Sequence, residues 1–115
     1  MAKTIFYTAP FPCEVIRIEE IHTTAATDSA AVTLQVEKLT GTTAPGSGTT
    51  LLASTIDLKG TANTVVERKG LDLTGDTVLA PGNRLALKYS GSLAGLAGLS
   101  VTVYCKPWGR GSYRV

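Results

Sequence analysis

Two stretches of strict alternation near the C-terminus restrict this chain to extended structure. In residues 99–106, Leu99, Val101, Val103 and Cys105 fall on one parity, and Ser100, Thr102, Tyr104 and Lys106 on the other. In Arg84-Leu85-Ala86-Leu87-Lys88-Tyr89-Ser90 the larger apolar residues again share one parity. A period of two sends successive side chains to opposite faces of a pleated strand. The two stretches are expected as an antiparallel hairpin, each strand with one buried face. The connection between them carries two Leu-Ala-Gly triplets and is too rich in glycine for a stable helix. Leu93 and Leu96 are placed to fold back over the end of the core.

The rest of the chain reads as further strands around this pair. Residues 3–8 are β-prone, and Pro10 and Pro12 then interrupt any ladder because proline lacks the backbone donor. They suit either an extended arm or an ordinary edge strand. Residues 13–24 form the first long strand, with Val15, Ile16, Ile18 and Ile21 as its apolar content. The step from Ile18 to Ile21 breaks alternation, and a β-bulge would reconcile the halves. In the next strand Val32, Leu34 and Val36 point inward, and Thr33, Gln35 and Glu37 outward.

Residues 40–50 hold Gly41, Pro45, Gly46 and Gly48 with no large apolar side chain, so an exposed, mobile loop is expected. Residues 51–58 are read as a strand because their Thr-rich flanks prefer extended structure. Another strand is expected over 64–69, and Leu71 and Leu73 then alternate with Asp72 and Thr74. Pro81-Gly82 suits the centre of a type II turn. Seven or eight short strands separated by turn signals predict an all-β antiparallel sandwich.

A chain of 115 residues is one domain by size and can bury a core without metal or disulfides. Charged residues make up 17% and the net charge is +2, too little to imply nucleic acid. No apolar run approaches the roughly 20 residues of a membrane-spanning helix. The N-terminus lacks the apolar stretch of a secretion signal, so synthesis and assembly in a cytoplasm are expected. Cys13 and Cys105 read either as two small buried hydrophobes or as a bridge between the first and last core strands; a reducing compartment disfavours the bridge.

Signs of catalysis are sparse. His22 is the only histidine, set among threonines near a strand end, and is read as structural or solvent-exposed. There is no nucleophile elbow and no Walker-type loop. Glu19 and Glu20 are neighbours in a strand and so point to opposite faces. Asp28 and Asp76 would hold calcium only if the fold joined them. No cofactor or metal is expected. Residues 107–115 carry Arg110 and Arg114, no acid, and the aromatic residues Trp108 and Tyr113. Trp, Tyr and Arg are the types enriched at interface hot spots, so the tail is read as protein-binding rather than as a nucleic-acid strap or a merely disordered end.

Four stretches carry a family resemblance: Thr8-Ala9-Pro10-Phe11-Pro12-Cys13-Glu14-Val15, Ala31-Val32-Thr33-Leu34-Gln35-Val36-Glu37-Lys38-Leu39, Gly60-Thr61-Ala62-Asn63-Thr64-Val65 and Leu79-Ala80-Pro81-Gly82-Asn83-Arg84-Leu85-Ala86-Leu87. The pattern, from about Tyr7 to Lys106, resembles small virion proteins of tailed bacteriophages, some of which are capsid decoration (cement) proteins. The resemblance implies a jelly-roll-like β-sandwich, often a homotrimer, on the outer surface of the capsid. It further implies that the chain is a non-enzymatic structural part that bridges major capsid protein subunits and engages neither nucleic acid nor membrane.

The chain then divides into an N-terminal arm (1–12), a sandwich (13–106) and a tail (107–115). The contact residues expected are Ile5, Phe6, Tyr7 and Phe11 in the arm and Trp108, Arg110, Tyr113 and Arg114 in the tail. A glycan- or receptor-binding module of a fibre or tail is the alternative, though neither candidate recognition loop, 40–50 or 93–99, holds an aromatic residue. In a jelly roll the first long strand lies antiparallel to the last, which would bring Cys13 and Cys105 close together.

Overall fold

The computed structural model describes residues 3–107. The alternating stretches become nine strands: β1 (Lys3–Thr8), β2 (Cys13–Ile21), β3 (Thr33–Leu39), β4 (Thr49–Thr50), β5 (Ile56–Asp57), β6 (Val66–Lys69), β7 (Val78–Leu79), β8 (Arg84–Ser90) and β9 (Ser100–Pro107). Every strand pairing is antiparallel. In one sheet β8 lies between β1 and β3, and β3 also pairs with the short β4 and β5. In the other, β2 pairs along its length with β9 and elsewhere with β6 and β7. The sheets pack as an all-β sandwich over a core that includes Val15, Ile18, Val32, Leu34, Val36, Leu79 and Leu85.

The first long strand does pair with the last, as the jelly-roll expectation requires, with Val15 opposite Cys105. The expected C-terminal hairpin is not formed. β8 and β9 belong to different sheets, so residues 91–99 cross the sandwich instead of reversing within one sheet. Alternation reports which side chains are buried but not which strand lies alongside. Pro81-Gly82 does make the expected turn: Asn83 N–H donates to Ala80 O at 3.0 Å, and Gly82 has a φ of 88°.

Residues 3–8 are an edge strand, paired with β8 from Lys3 opposite Lys88 to Thr8 opposite Arg84. Of the two readings open for this segment, that is the one the fold adopts. The β-bulge in β2 lies between Val15 and Arg17, earlier than expected, and leaves Ile16 as the extra residue. Its position changes which residues turn inward. After Ile16 the buried side chains are Ile18, Glu20 and His22, while Ile21 is only partly covered. Two polar side chains therefore enter the interior where an isoleucine was expected.

Two further expectations change. Residues 51–58 are not one strand: only β5 is extended there, preceded by an irregular segment in which Leu52 forms a lone bridge to Leu73. The alternation across residues 71–74 conceals a 3₁₀ turn, Gly70–Asp72, that leaves Leu71 98% exposed. Leu71→Ser should therefore change the free energy of unfolding by less than about 0.5 kcal/mol in urea titration. An inward-facing leucine would cost about 2 kcal/mol or more.

Candidate functional site

Buried polar side chains in this sandwich tie loops to strands. Glu37 was expected to face outward, and by strand parity it does, opposite Ala86. Residues 40–48 fold over it, leaving it 1% exposed. Its carboxylate accepts the Gly46 N–H through Oε2 and the Gly48 N–H through Oε1, the latter at 2.9 Å. The loop expected to be free is thus held at its far side. Gly48 is required there, because a Cβ would lie 2.5 Å from Lys38 O and 2.6 Å from Leu39 Cδ2.

Lys38, on the other face of β3, donates from Nζ to Asp76 Oδ2 at 2.9 Å and Val78 O at 2.7 Å. The Lys38 bond, with the Val78 N–H and the lysine charge, holds the Asp76 carboxyl below its ordinary value despite opposing desolvation. Arg68 ties β6 to the Ser54 and Thr55 carbonyls, and Arg84 ties β8 to the Gly41 and Thr43 carbonyls. Asp28 accepts from the Ser92 and Ala30 N–H groups, which depress its pKa. Asp28 and Asp76 are therefore engaged by different partners, and no group of three potential metal ligands occurs among the described residues.

The candidate contact residues divide by exposure. Ile5 is 40% and Phe11 39% exposed. Phe6 and Tyr7 are half-buried and pack against the core. Tyr7 reaches across the sandwich, its Oη 3.9 Å from Cys13 Sγ. Burial, followed by the bond to Cys13 and the two thiols nearby, pushes the Tyr7 hydroxyl up to about 12. Cys105 is likewise pushed up to about 11, by burial first and then by Cys13. Both cysteines are free. At neutral pH the Cys105 thiol stays protonated and is a poor nucleophile. Trp108, Arg110, Tyr113 and Arg114 lie outside the described residues.

Pro107 pairs with Cys13, so the chain leaves β9 beside the start of β2, at the end of the sandwich where Thr8 meets Arg84. The outward face of the β2 sheet is charged but internally paired. Arg17 Nη2 bridges Glu19 and Glu67, and its guanidinium lies 5.3 Å from the centre of the Tyr104 ring. Tyr104 Oη donates to Glu19 Oε1 at 3.0 Å. An open cleft of about 350 Å³ lies where β6 and β7 leave β2 uncovered, lined by Glu14, Ile16, Leu73 and Thr77 among others. The Glu14 carboxylate is the one titratable side chain among its lining residues.

Sequence reasoning missed Glu20, Glu37 and Lys38 as interior groups. Their only local signals are the Gly46-Ser47-Gly48 run, which exposes backbone donors, and the bulge that reverses parity. The chain matches no protein-family model, no curated protein and no solved structure.

Proposed function

We propose that this chain is a structural virion protein, a decoration protein bound to the outer surface of a tailed-bacteriophage capsid, where it bridges major capsid protein subunits. The observation that carries this reading is how the sandwich treats its loops. Glu37, Arg68 and Arg84 each reach from a strand to backbone carbonyls or N–H groups of a loop, and Lys38 reaches the Asp76 carboxylate in the turn before β7, which favours a rigid body over a mobile recognition surface. A lattice-bound part gains from such rigidity, because weak contacts repeated over a shell add through avidity only when the geometry is kept.

Ile5 and Phe11 present apolar surface on the segment that leads into β2, and Trp108, Arg110, Tyr113 and Arg114 supply the residue types of interface anchors. Mass spectrometry of purified virions tests the reading directly. Hundreds of copies per particle are expected, and a handful would point instead to a fibre or vertex part. Truncation after Lys106 is expected to weaken capsid binding or self-association. If both stay unchanged in capsid co-sedimentation and size-exclusion experiments, the tail is not a contact device.

A further inference from the structure

The only histidine of the chain sits where β2 leaves the core, and its surroundings define its protonation. His22 is 1% exposed. Its Nδ1 lies 2.6 Å from Glu20 Oε2 and its Nε2 3.0 Å from the Gly60 carbonyl oxygen. A carbonyl oxygen and a carboxylate both only accept, so each ring nitrogen must carry a hydrogen. With Glu20 ionised, two acceptors facing two nitrogens require the imidazolium form. Glu20 is fully buried, and its Oε1 has no hydrogen-bond partner among the described residues. The positive ring thus compensates a carboxylate that is otherwise poorly served, and burying an uncompensated charge is costly. The His22 backbone also takes part, since its carbonyl accepts the Asn63 N–H at 2.7 Å. One residue therefore grips the turn over residues 60–63 from its ring and from its main chain.

We propose that His22 is a proton-operated latch on this turn: protonated, it clamps the Gly60 carbonyl to buried Glu20, and on losing a proton to solvent it releases the turn and loosens that end of the sandwich. If the proton leaves Nε2, its lone pair faces the carbonyl oxygen. If it leaves Nδ1, its lone pair faces the carboxylate. Either loss leaves a buried negative charge without compensation.

The other charged groups around the ring do not replace the lost proton. Asp57, at the end of β5, is acidic and favours the charged ring. Lys59, beside Gly60, donates instead to the Ser29 and Ala30 carbonyls. Arg68 of β6 is engaged by the Ser54 and Thr55 carbonyls. The β9 residues opposite Glu20 and Ile21 are Val101 and Ser100, which do not titrate.

Burial opposes the charged ring, but the bonds to Glu20 and Gly60 and the charges of Glu20 and Asp57 outweigh it and raise the His22 pKa above its ordinary value. A folded-state pKa raised above the unfolded one gives stability that is fully present below about pH 6.5 and is lost as pH rises through the folded midpoint. One proton is linked, so the closed turn weakens by at most about tenfold per pH unit in that window.

The test is a titration of the ¹⁵N-labelled full chain between pH 5 and 9. With one histidine, its ring resonances need no assignment by mutation. Expected are two protonated ring nitrogens at pH 6, a midpoint above about 6.5, and a parallel fall in hydrogen-exchange protection of the Asn63 amide after correction for base-catalysed intrinsic exchange. Amides of β3 should stay protected throughout. In Glu20→Gln the midpoint should drop and the Asn63 response should vanish. If that variant does not fold, the wild-type titration decides alone. A ring that is neutral at pH 6, a midpoint at or below 6.5, or Asn63 protection that is flat through the midpoint would overturn the latch.

Discussion

Glu37→Ala is expected to lower the free energy of unfolding by about 3 kcal/mol or more, because it removes two hydrogen bonds to a charged group at once. The donors are the Gly46 and Gly48 N–H groups, held over a side chain that is 1% exposed. Residues 40–48 supply few apolar contacts of their own, so apart from the Arg84 bonds to the Gly41 and Thr43 carbonyls little else holds the loop over β3. The variant should also open a protease-sensitive site within 40–48 that the wild-type protein lacks. Glu37→Gln keeps one acceptor oxygen but turns an NH₂ group toward the second donor, so it should fall between the two. Urea midpoints and timed proteolysis read both effects. An unchanged midpoint in Glu37→Ala would mean that the clamp contributes nothing and that the loop is held elsewhere.

Gly91→Ala is expected to cost still more, and Gly82→Ala provides its internal control. The two glycines have nearly the same φ, 90° and 88°, a conformation that L-residues adopt only with strain. The backbone penalty of a Cβ is therefore similar at both, about 1–2 kcal/mol. Their surroundings differ. Nothing lies within 4 Å of a Cβ at Gly82, whereas at Gly91 it would overlap the Ala31 carbonyl oxygen and lie 3.1 Å from Val32 Cα. Those are backbone atoms at the entry to β3 and cannot swing aside as a side-chain end would. Gly91→Ala should lose about 3–5 kcal/mol in all, the excess over Gly82→Ala being the overlap. Equal losses in denaturant titration would show that the close approach of residues 91 and 31 is not maintained in solution.

Gly91 also marks where the chain leaves β8 for the other sheet, so the same position explains the missing hairpin. A reversal within one sheet would have placed β9 beside β8. The edges of β8 are already taken by β1 and β3, and β9 pairs instead with β2.

Much of the architecture was legible from residue pattern alone. The alternation of Val32, Leu34 and Val36, and of Leu85 and Leu87, correctly identified interior side chains, and Pro81-Gly82 correctly identified a turn. The local pattern suffices there because it reports burial of a strand face, which is a property of the strand itself. The expected contact residues of the arm differ in exposure. Ile5 and Phe11 are exposed, but Phe6 and Tyr7 serve the core, because the bulge between Ile5 and Tyr7 turns both toward it.

Partner choice, bulge position and the fate of polar residues were decided by the tertiary structure. Whether β9 lies beside β8 or β2 depends on which sheet edges are free, and no residue of β9 encodes that. Whether Glu20 or Ile21 enters the core depends on one extra residue at Ile16, since a single-residue shift exchanges the two faces of a strand. Glu20 and Glu37 carry the same local character as any exposed glutamate. They become interior groups only because donors, the His22 ring two residues along in one case and the Gly46 and Gly48 backbone of the following loop in the other, are brought to hydrogen-bonding distance. The sequence by itself thus determined an all-β chain and most of its apolar core. The assembled sandwich determined which charges are buried, which loops they hold, and where a single proton can act.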